Sequence, residues 1–195
     1  MSRVPSALPR SIARLTASGT GYCSGVLIAP DIVATCAHFF RPGRSQVQVR
    51  IDGLTVPSAS TQVLAGTDIA LVRLARRVAA QPLPLGPSPR PLSRTVTFGF
   101  GARAAAPAAR PGVFLGELPV SYSRTFATRV RPAGFVYADP PAVKGDSGGP
   151  VLVGGRVIGL QSLILNPGGR NLRLSTVALW PAGPNGPADA LHQLG

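Results

Sequence analysis

Glycine and proline punctuate this chain so densely, with 23 Gly and 21 Pro in 195 residues, that little uninterrupted sequence is left for helices. Gly tolerates the positive φ of tight turns, and Pro lacks the N–H that a helix interior requires. The stretches between these breaks read as strands. In residues 46–52, Val47, Val49 and Ile51 alternate with Gln48, Arg50 and Asp52, the period of a half-buried strand. Asp52-Gly53 then predicts a hairpin turn into Leu54-Thr55-Val56. Val151-Leu152-Val153 and Val157-Ile158-Gly159-Leu160 flank Gly154-Gly155-Arg156, a second hairpin signal, and Leu172, Leu174 and Thr176 alternate with Arg173 and Ser175. Turn signals recur roughly every eight to twelve residues, which predicts an all-β barrel or sandwich. One short helix is expected, in the tail from Pro187 through Leu191. The Pro-rich residues 81–91 read as a linker between two halves, and residues 104–111, rich in Ala, Pro and Arg, as an exposed loop.

The length suits one domain, or two half-domains sharing a core. No apolar run approaches the roughly 20 residues needed to cross a bilayer. Residues 1–10 lack the continuous apolar core of a signal peptide, so the chain as written reads as cytoplasmic; as a trimmed mature form it would read as secreted. The formal net charge is +13, and Lys144 is the only lysine among 20 basic residues. A charge of that size suits a binder of nucleic acid or of another anionic surface. The arginines are scattered, however, with Arg76-Arg77 the only adjacent pair, and a basic patch requires clustering. No specific nucleic-acid partner is therefore expected. Two cysteines, Cys23 and Cys36, are too few for a disulfide-rich scaffold. His38 and His192 are the only histidines, and no Cys/His cluster has metal-ligand spacing, so neither a metal nor a cofactor is implied.

Gly145-Asp146-Ser147-Gly148-Gly149-Pro150 is the most informative stretch. Glycines on both sides of Ser147 let the backbone bend sharply and leave the hydroxyl exposed. They also free the Gly145 and Ser147 amides to point at one spot, an oxyanion hole for charge that develops in a transition state. A serine hydroxyl is a weak nucleophile until a base takes its proton. His38 is the candidate base, because residues 32–37 read as a strand running into a small-residue turn that presents the imidazole at a strand end. His192 falls in the expected tail helix, a poorer place for a base. The base needs a carboxylate to fix its tautomer, and Asp68 stands directly before Ile69-Ala70-Leu71-Val72. A carboxylate at the mouth of a buried strand is costly unless hydrogen-bonded. Each feature also has a plain structural reading: a Gly-rich turn, a half-buried histidine and an ordinary strand-entry aspartate.

Together these stretches resemble the trypsin/chymotrypsin family of serine proteases. Gly-Asp-Ser-Gly-Gly-Pro at 145–150 is a complete match to the family's motif. Thr35-Cys36-Ala37-His38 is similar to its Thr-Ala-Ala-His, Asp68-Ile69-Ala70-Leu71 to its Asp-Ile-Ala-Leu, and Cys23-Ser24-Gly25-Val26-Leu27-Ile28 to its Cys-Gly-Gly-Ser-Leu-Ile. The order His, Asp, Ser is the family's, whereas subtilisin-like and α/β-hydrolase enzymes use other orders. Weaker echoes, among them Phe98-Gly99-Phe100-Gly101 and Gly159-Leu160-Gln161-Ser162, extend the likeness from about Ser11 to Trp180. The resemblance implies two packed antiparallel β-barrels. Residues 1–85 would carry His38 and Asp68, and residues 86–195 would carry Ser147 and the tail. It further implies a serine endopeptidase acting on protein or peptide substrates through an acyl-enzyme on Ser147; a monomer is expected.

The departures matter as much. There is no Ile-Val-Gly-Gly start whose ammonium, in the family, pairs with the Asp beside the nucleophile, so Asp146 needs another partner. Cys36 precedes His38 by two positions, where the family's cysteine directly follows the histidine; a Cys23–Cys36 bridge is one possibility. Thr-Cys-Ala-His also resembles intracellular bacterial trypsin-like peptidases. Six residues before the nucleophile, where trypsins carry Asp at the floor of the primary pocket, stands Pro141, followed by Ala142 and Val143. Pro141, Ala142, Lys144, Ser162 and Leu172 are the expected substrate-binding residues. An apolar pocket would favour small or medium apolar side chains before the scissile bond, unless Asp139 swings in and favours Arg. The rival function is a catalytically silent protease-fold protein that binds an anionic partner through its basic surface.

Overall fold

The computed structural model describes residues 10–17, 21–41, 43 and 46–182. The helix expected over residues 187–191, and His192, lie outside the described residues. Strands β1 (Ile12–Ala17), β2 (Tyr22–Ala29), β3 (Ile32–Cys36), β4 (Val47–Ile51), β5 (Leu54–Val63) and β6 (Ile69–Leu74) form the first closed antiparallel barrel, in the order β1-β2-β3-β6-β5-β4. After β7 (Arg94–Gly99) and β8 (Ala108–Leu118), a two-stranded ribbon of β9 (Ser121–Tyr122) and β10 (Arg129–Val130) intervenes. Strands β11 (Ala133–Ala138), β12 (Pro150–Val153), β13 (Arg156–Ile164) and β14 (Leu174–Leu179) then complete a second closed barrel, ordered β11-β14-β13-β12-β7-β8. Among the described residues, helical structure is limited to 3-10 turns, and no helix is long and apolar enough to cross a membrane.

Local sequence explains most of these elements. β4 buries Val47, Val49 and Ile51 and exposes Gln48 and Arg50. Its hairpin to β5 turns on Asp52 and Gly53, both at positive φ, the conformation whose twist matches that of the flanking strands. Gly154 and Gly155 make the same kind of turn between β12 and β13. Residues 104–111 are only half a loop, because Ala108 to Pro111 belong to β8 and pair with β7. A side chain at Gly112 would strike the Tyr137 carbonyl, so the small residues of this segment let β8 press closely on β11. Leu172 lies outside β14, which begins at Leu174.

Each barrel has its own apolar interior, around Leu15, Leu27, Val33 and Val72 in the first and around Phe114, Val136, Val151 and Val177 in the second. A third cluster joins Ile12, Val26 and Leu71 to Phe98, Phe100 and Leu160, so the barrels share a buried seam. The linker is tied to both barrels. The Leu83 amide donates to the Leu27 carbonyl, and the Gly86 amide to the Val157 carbonyl, each at 2.9 Å.

Candidate active site

His38 lies in the 3-10 turn Ala37–Phe40 that directly follows β3, and Asp68 immediately precedes β6. These strands pair antiparallel with Cys36 opposite Ile69, which brings His38 and Asp68 to the same end of the ladder. The Asp68 carboxylate is fully buried. It accepts from the His38 amide at 2.9 Å, from His38 Nδ1 at 2.8 Å and from the Ser162 hydroxyl at 2.5 Å. With Nδ1 donating to the carboxylate, a neutral ring carries its lone pair on Nε2. Burial pushes the imidazole toward its neutral form, but the Cys36 sulfur and the Asp68 carboxylate pull the other way, and the net shift of its pKa is upward. Burial, with Cys23 alongside, holds the Cys36 thiol well above its usual range. An uncharged thiol exerts little pull, so at neutral pH the carboxylate is what favours the imidazolium.

Ser147 sits in the loop before β12, and both barrels grip that loop. From the first, the Ser24 amide donates to the Ser147 carbonyl at 2.8 Å; toward the second, the Gly148 amide donates to the Gln161 carbonyl at 2.7 Å. The Ser24 hydroxyl adds a further tie, donating to the Gly145 carbonyl at 2.7 Å and accepting from the Phe100 amide at 2.8 Å. Gly148 has φ of 83°, and a Cβ there would strike the Ser24 carbonyl and the Thr35 hydroxyl, so this close approach requires glycine. The Ser147 hydroxyl donates to the Ser162 carbonyl at 3.3 Å.

The Lys144 carbonyl accepts from the Ala102 amide at 3.0 Å, and the Asp146 carbonyl from the Gly149 amide at 2.9 Å. In a trans peptide the C=O and N–H point opposite ways, so these bonds turn the Gly145 and Ser147 amides away from those partners. Among the described residues neither amide donates to another backbone group. Asp146 is fully buried and accepts from the Gly101 amide at 2.8 Å, the Val143 amide at 2.8 Å and Arg110 Nε at 2.6 Å. Arg110, on β8, is itself buried. A cation from within the chain thus neutralises the carboxylate beside Ser147, the place for which the family pattern uses an N-terminal ammonium.

A family model described as the trypsin-like peptidase domain matches residues 23–160. The chain belongs to that family. No curated protein sequence matches it. Among solved structures, this trypsin-like peptidase is similar to the active form of Rv3671c protease from M. tuberculosis, with 18% identity and a TM-score of 0.74 over 95% of this chain and 80% of that one. It is also similar to the HtrA-type protease AlgW with tripeptide, at 16% identity and a TM-score of 0.71 over 88% of this chain and 56% of that one. For kallikrein-related peptidase 10 the values are 20%, 0.69, 88% and 90%. At such identities the likeness shows the fold, two packed β-barrels.

Around His38, Asp68 and Ser147 the other expected residues are unevenly placed. Ala142 is buried and its carbonyl accepts from Asn171 Nδ2 at 2.7 Å; Pro141 is half-buried, and Leu172 is exposed. Asp139 is exposed and pairs with Arg173 Nη1 at 2.6 Å. Lys144 is exposed beside Gly145. The Cys23–Cys36 bridge that the resemblance left open is not formed, and both cysteines are free and buried. With Val26 opposite Ala34, that register extended puts Ser24, not Cys23, across from Cys36, and the Thr35 hydroxyl lies 3.3 Å from Cys23 Sγ. Sequence reasoning missed Ser24 and Arg110. The signal available for Arg110 was indirect: Asp146 needed a cation, and the chain offers many arginines.

Proposed function

We propose that this chain is an active serine endopeptidase, with Ser147 as nucleophile, His38 as general base and then acid, and Asp68 as orienting carboxylate. The observation that carries the reading is a fully buried carboxylate holding His38 Nδ1 at 2.8 Å, beside a serine whose own amide, like that of Gly145, donates to no backbone group among the described residues. In the first step Ser147 Oγ bonds to the substrate carbonyl carbon while His38 Nε2 takes the hydroxyl proton. The carbonyl electron pair moves onto oxygen, where the Gly145 and Ser147 amides receive it. Collapse restores the carbonyl and breaks the C–N bond, and the departing amine takes the proton from His38. Water then attacks the ester, again giving its proton to His38, which returns it to Ser147 as the acid leaves. Residues 1–85 and 86–195 serve as the two half-domains that meet at this site.

The primary pocket would be lined by Pro141, Ala142 and Leu172, and Arg173 already engages Asp139. A cationic side chain buried there would lack a partner, so small or medium apolar side chains are preferred before the scissile bond. Matched peptides with Ala, Leu or Arg at that position decide this; fastest cleavage after Arg would overturn it. For the reaction itself, a fluorophosphonate probe should label Ser147, and Ser147→Ala or His38→Ala should each remove nearly all turnover. A chain that takes no label and cleaves no member of a peptide library would instead be a silent binder of an anionic partner.

A further inference from the structure

A cleft of about 700 Å³ opens beside Ser147, lined by Tyr22, His38, Phe39, Arg103 and Lys144. No described residue of β13 lines it. Neither Ala142 nor Leu172 lines it, so it is distinct from the pocket proposed above. His38, which hands its proton to the departing amine in the proposed reaction, forms part of the wall. The residues that follow the scissile bond thus enter this cleft.

Its charge is one-sided. Both fixed charges on the walls are cations, and no carboxylate among the described residues lines it. Behind the wall the Arg14 guanidinium stacks on the Tyr22 ring, 4.4 Å from its centroid, adding a third positive charge. The backbone that carries the two cations is held in place. Ala102 and Arg103 have φ of 56° and 61°, a left-handed conformation that side chains with a Cβ disfavour. Hydrogen bonds from the Arg103 amide to the Tyr22 hydroxyl at 2.7 Å, and from the Ala102 amide to the Lys144 carbonyl at 3.0 Å, keep that turn against the cleft. Tyr22 closes the circuit by donating to the Lys144 carbonyl at 3.4 Å. A strained turn tethered at the rim of a cleft fixes the base of Arg103 beside that of Lys144.

We propose that Arg103 and Lys144 form a subsite for an acidic side chain, Asp or Glu, in the first two positions after the scissile bond. This deepens the endopeptidase reading and rests on it. The test uses a series of peptides with amidated ends, identical except for Ala, Glu or Lys at those two positions. Two partly exposed cations acting on one carboxylate should raise kcat/KM for Glu over Ala by about three- to tenfold, with Lys below Ala. The advantage should shrink as salt is added, because exposed pairs are screened. Arg103→Ala combined with Lys144→Ala should bring the Glu-to-Ala ratio within about twofold of unity, and Lys144→Glu should favour the Lys peptide. Equal rates for the three peptides, or a Glu preference that survives the double substitution, overturn the subsite and leave the endopeptidase reading standing. If no peptide is cleaved and Ser147 takes no label, both fall.

Discussion

Without Arg110, the carboxylate of Asp146 would keep two amide donors but lose its one charged partner among the described residues. Asp146 is fully buried and Arg110 nearly so, with Nε 2.6 Å from Oδ2. Breaking such a pair from one side costs about 3–5 kcal/mol, because the remaining charge is stranded. Arg110→Ala should lose about that much in urea titration, and because Asp146 adjoins the proposed nucleophile Ser147, fluorophosphonate labelling should slow as well. Adding Asp146→Asn should return part of the stability, a non-additivity that marks direct coupling. Unchanged unfolding of Arg110→Ala would mean that the pair holds nothing together. In the proposed reaction His38 sets the pH response. The imidazole accepts a proton only when neutral, and its pKa is raised from 6.5, so the acid limb of kcat/KM should lie above pH 6.5. Asp68→Asn should move that limb to lower pH while reducing kcat, since the carboxylate that favours the imidazolium is gone. The sign for stability is the same: the contribution from His38 is full below pH 6.5 and is lost as pH rises through the folded value. An acid limb at or below pH 6.5 would show that burial outweighs the carboxylate.

Among the elements, the loop before β12 tolerates change least. Gly148→Ala combines an unfavourable φ of 83° with a collision against β2 and β3, so it should cost more than the roughly 1–3 kcal/mol of backbone strain alone. Gly154→Ala, in the β12–β13 hairpin, has φ of 57° and open space around its Cβ, so it should cost only about 1–2 kcal/mol. Comparing the two denaturation midpoints tests the packing argument, and equal losses would refute it. The same contrast explains what could be read beforehand. Hairpin turns depend on neighbouring residues, so Asp52-Gly53 and Gly154-Gly155 announced themselves, as did the alternation in β4. The motif around Ser147 and the strand-end positions of His38 and Asp68 were equally local. β8 was half hidden, because its Ala, Pro and Gly serve close approach to β11 and carry no strand signature. The Arg110–Asp146 pair spans 36 positions, and nothing near either residue names the other. Ser24 was obscured for the same reason: its hydroxyl acts on Gly145 and Phe100, both in the other half of the chain.

For the molecule as a whole, the decisive feature is that the site lies across a seam both barrels build. The cluster joining Ile12, Val26 and Leu71 to Phe98, Phe100 and Leu160 belongs to neither barrel alone. The bond from the Ser24 amide to the Ser147 carbonyl, the two bonds through the Ser24 hydroxyl and the bond from the Val157 amide to the Pro84 carbonyl all cross between the halves. If one barrel unfolded first, it would expose this seam and leave those backbone groups unpaired, at a cost that favours neither half surviving alone. The chain should therefore unfold in one cooperative step. Trp180, whose indole N–H donates to the Val157 carbonyl at 2.7 Å, reports on the second barrel by fluorescence. Hydrogen exchange at the paired amides of β3 and β6 reports on the first. Both probes should give one denaturant midpoint. Phe100→Ala, which opens a cavity in the seam, should lower both together by the equivalent of about 3–5 kcal/mol. Two separate midpoints, or a Phe100→Ala effect confined to Trp180, would mean that the barrels are independent and that the site can open while each half stays folded.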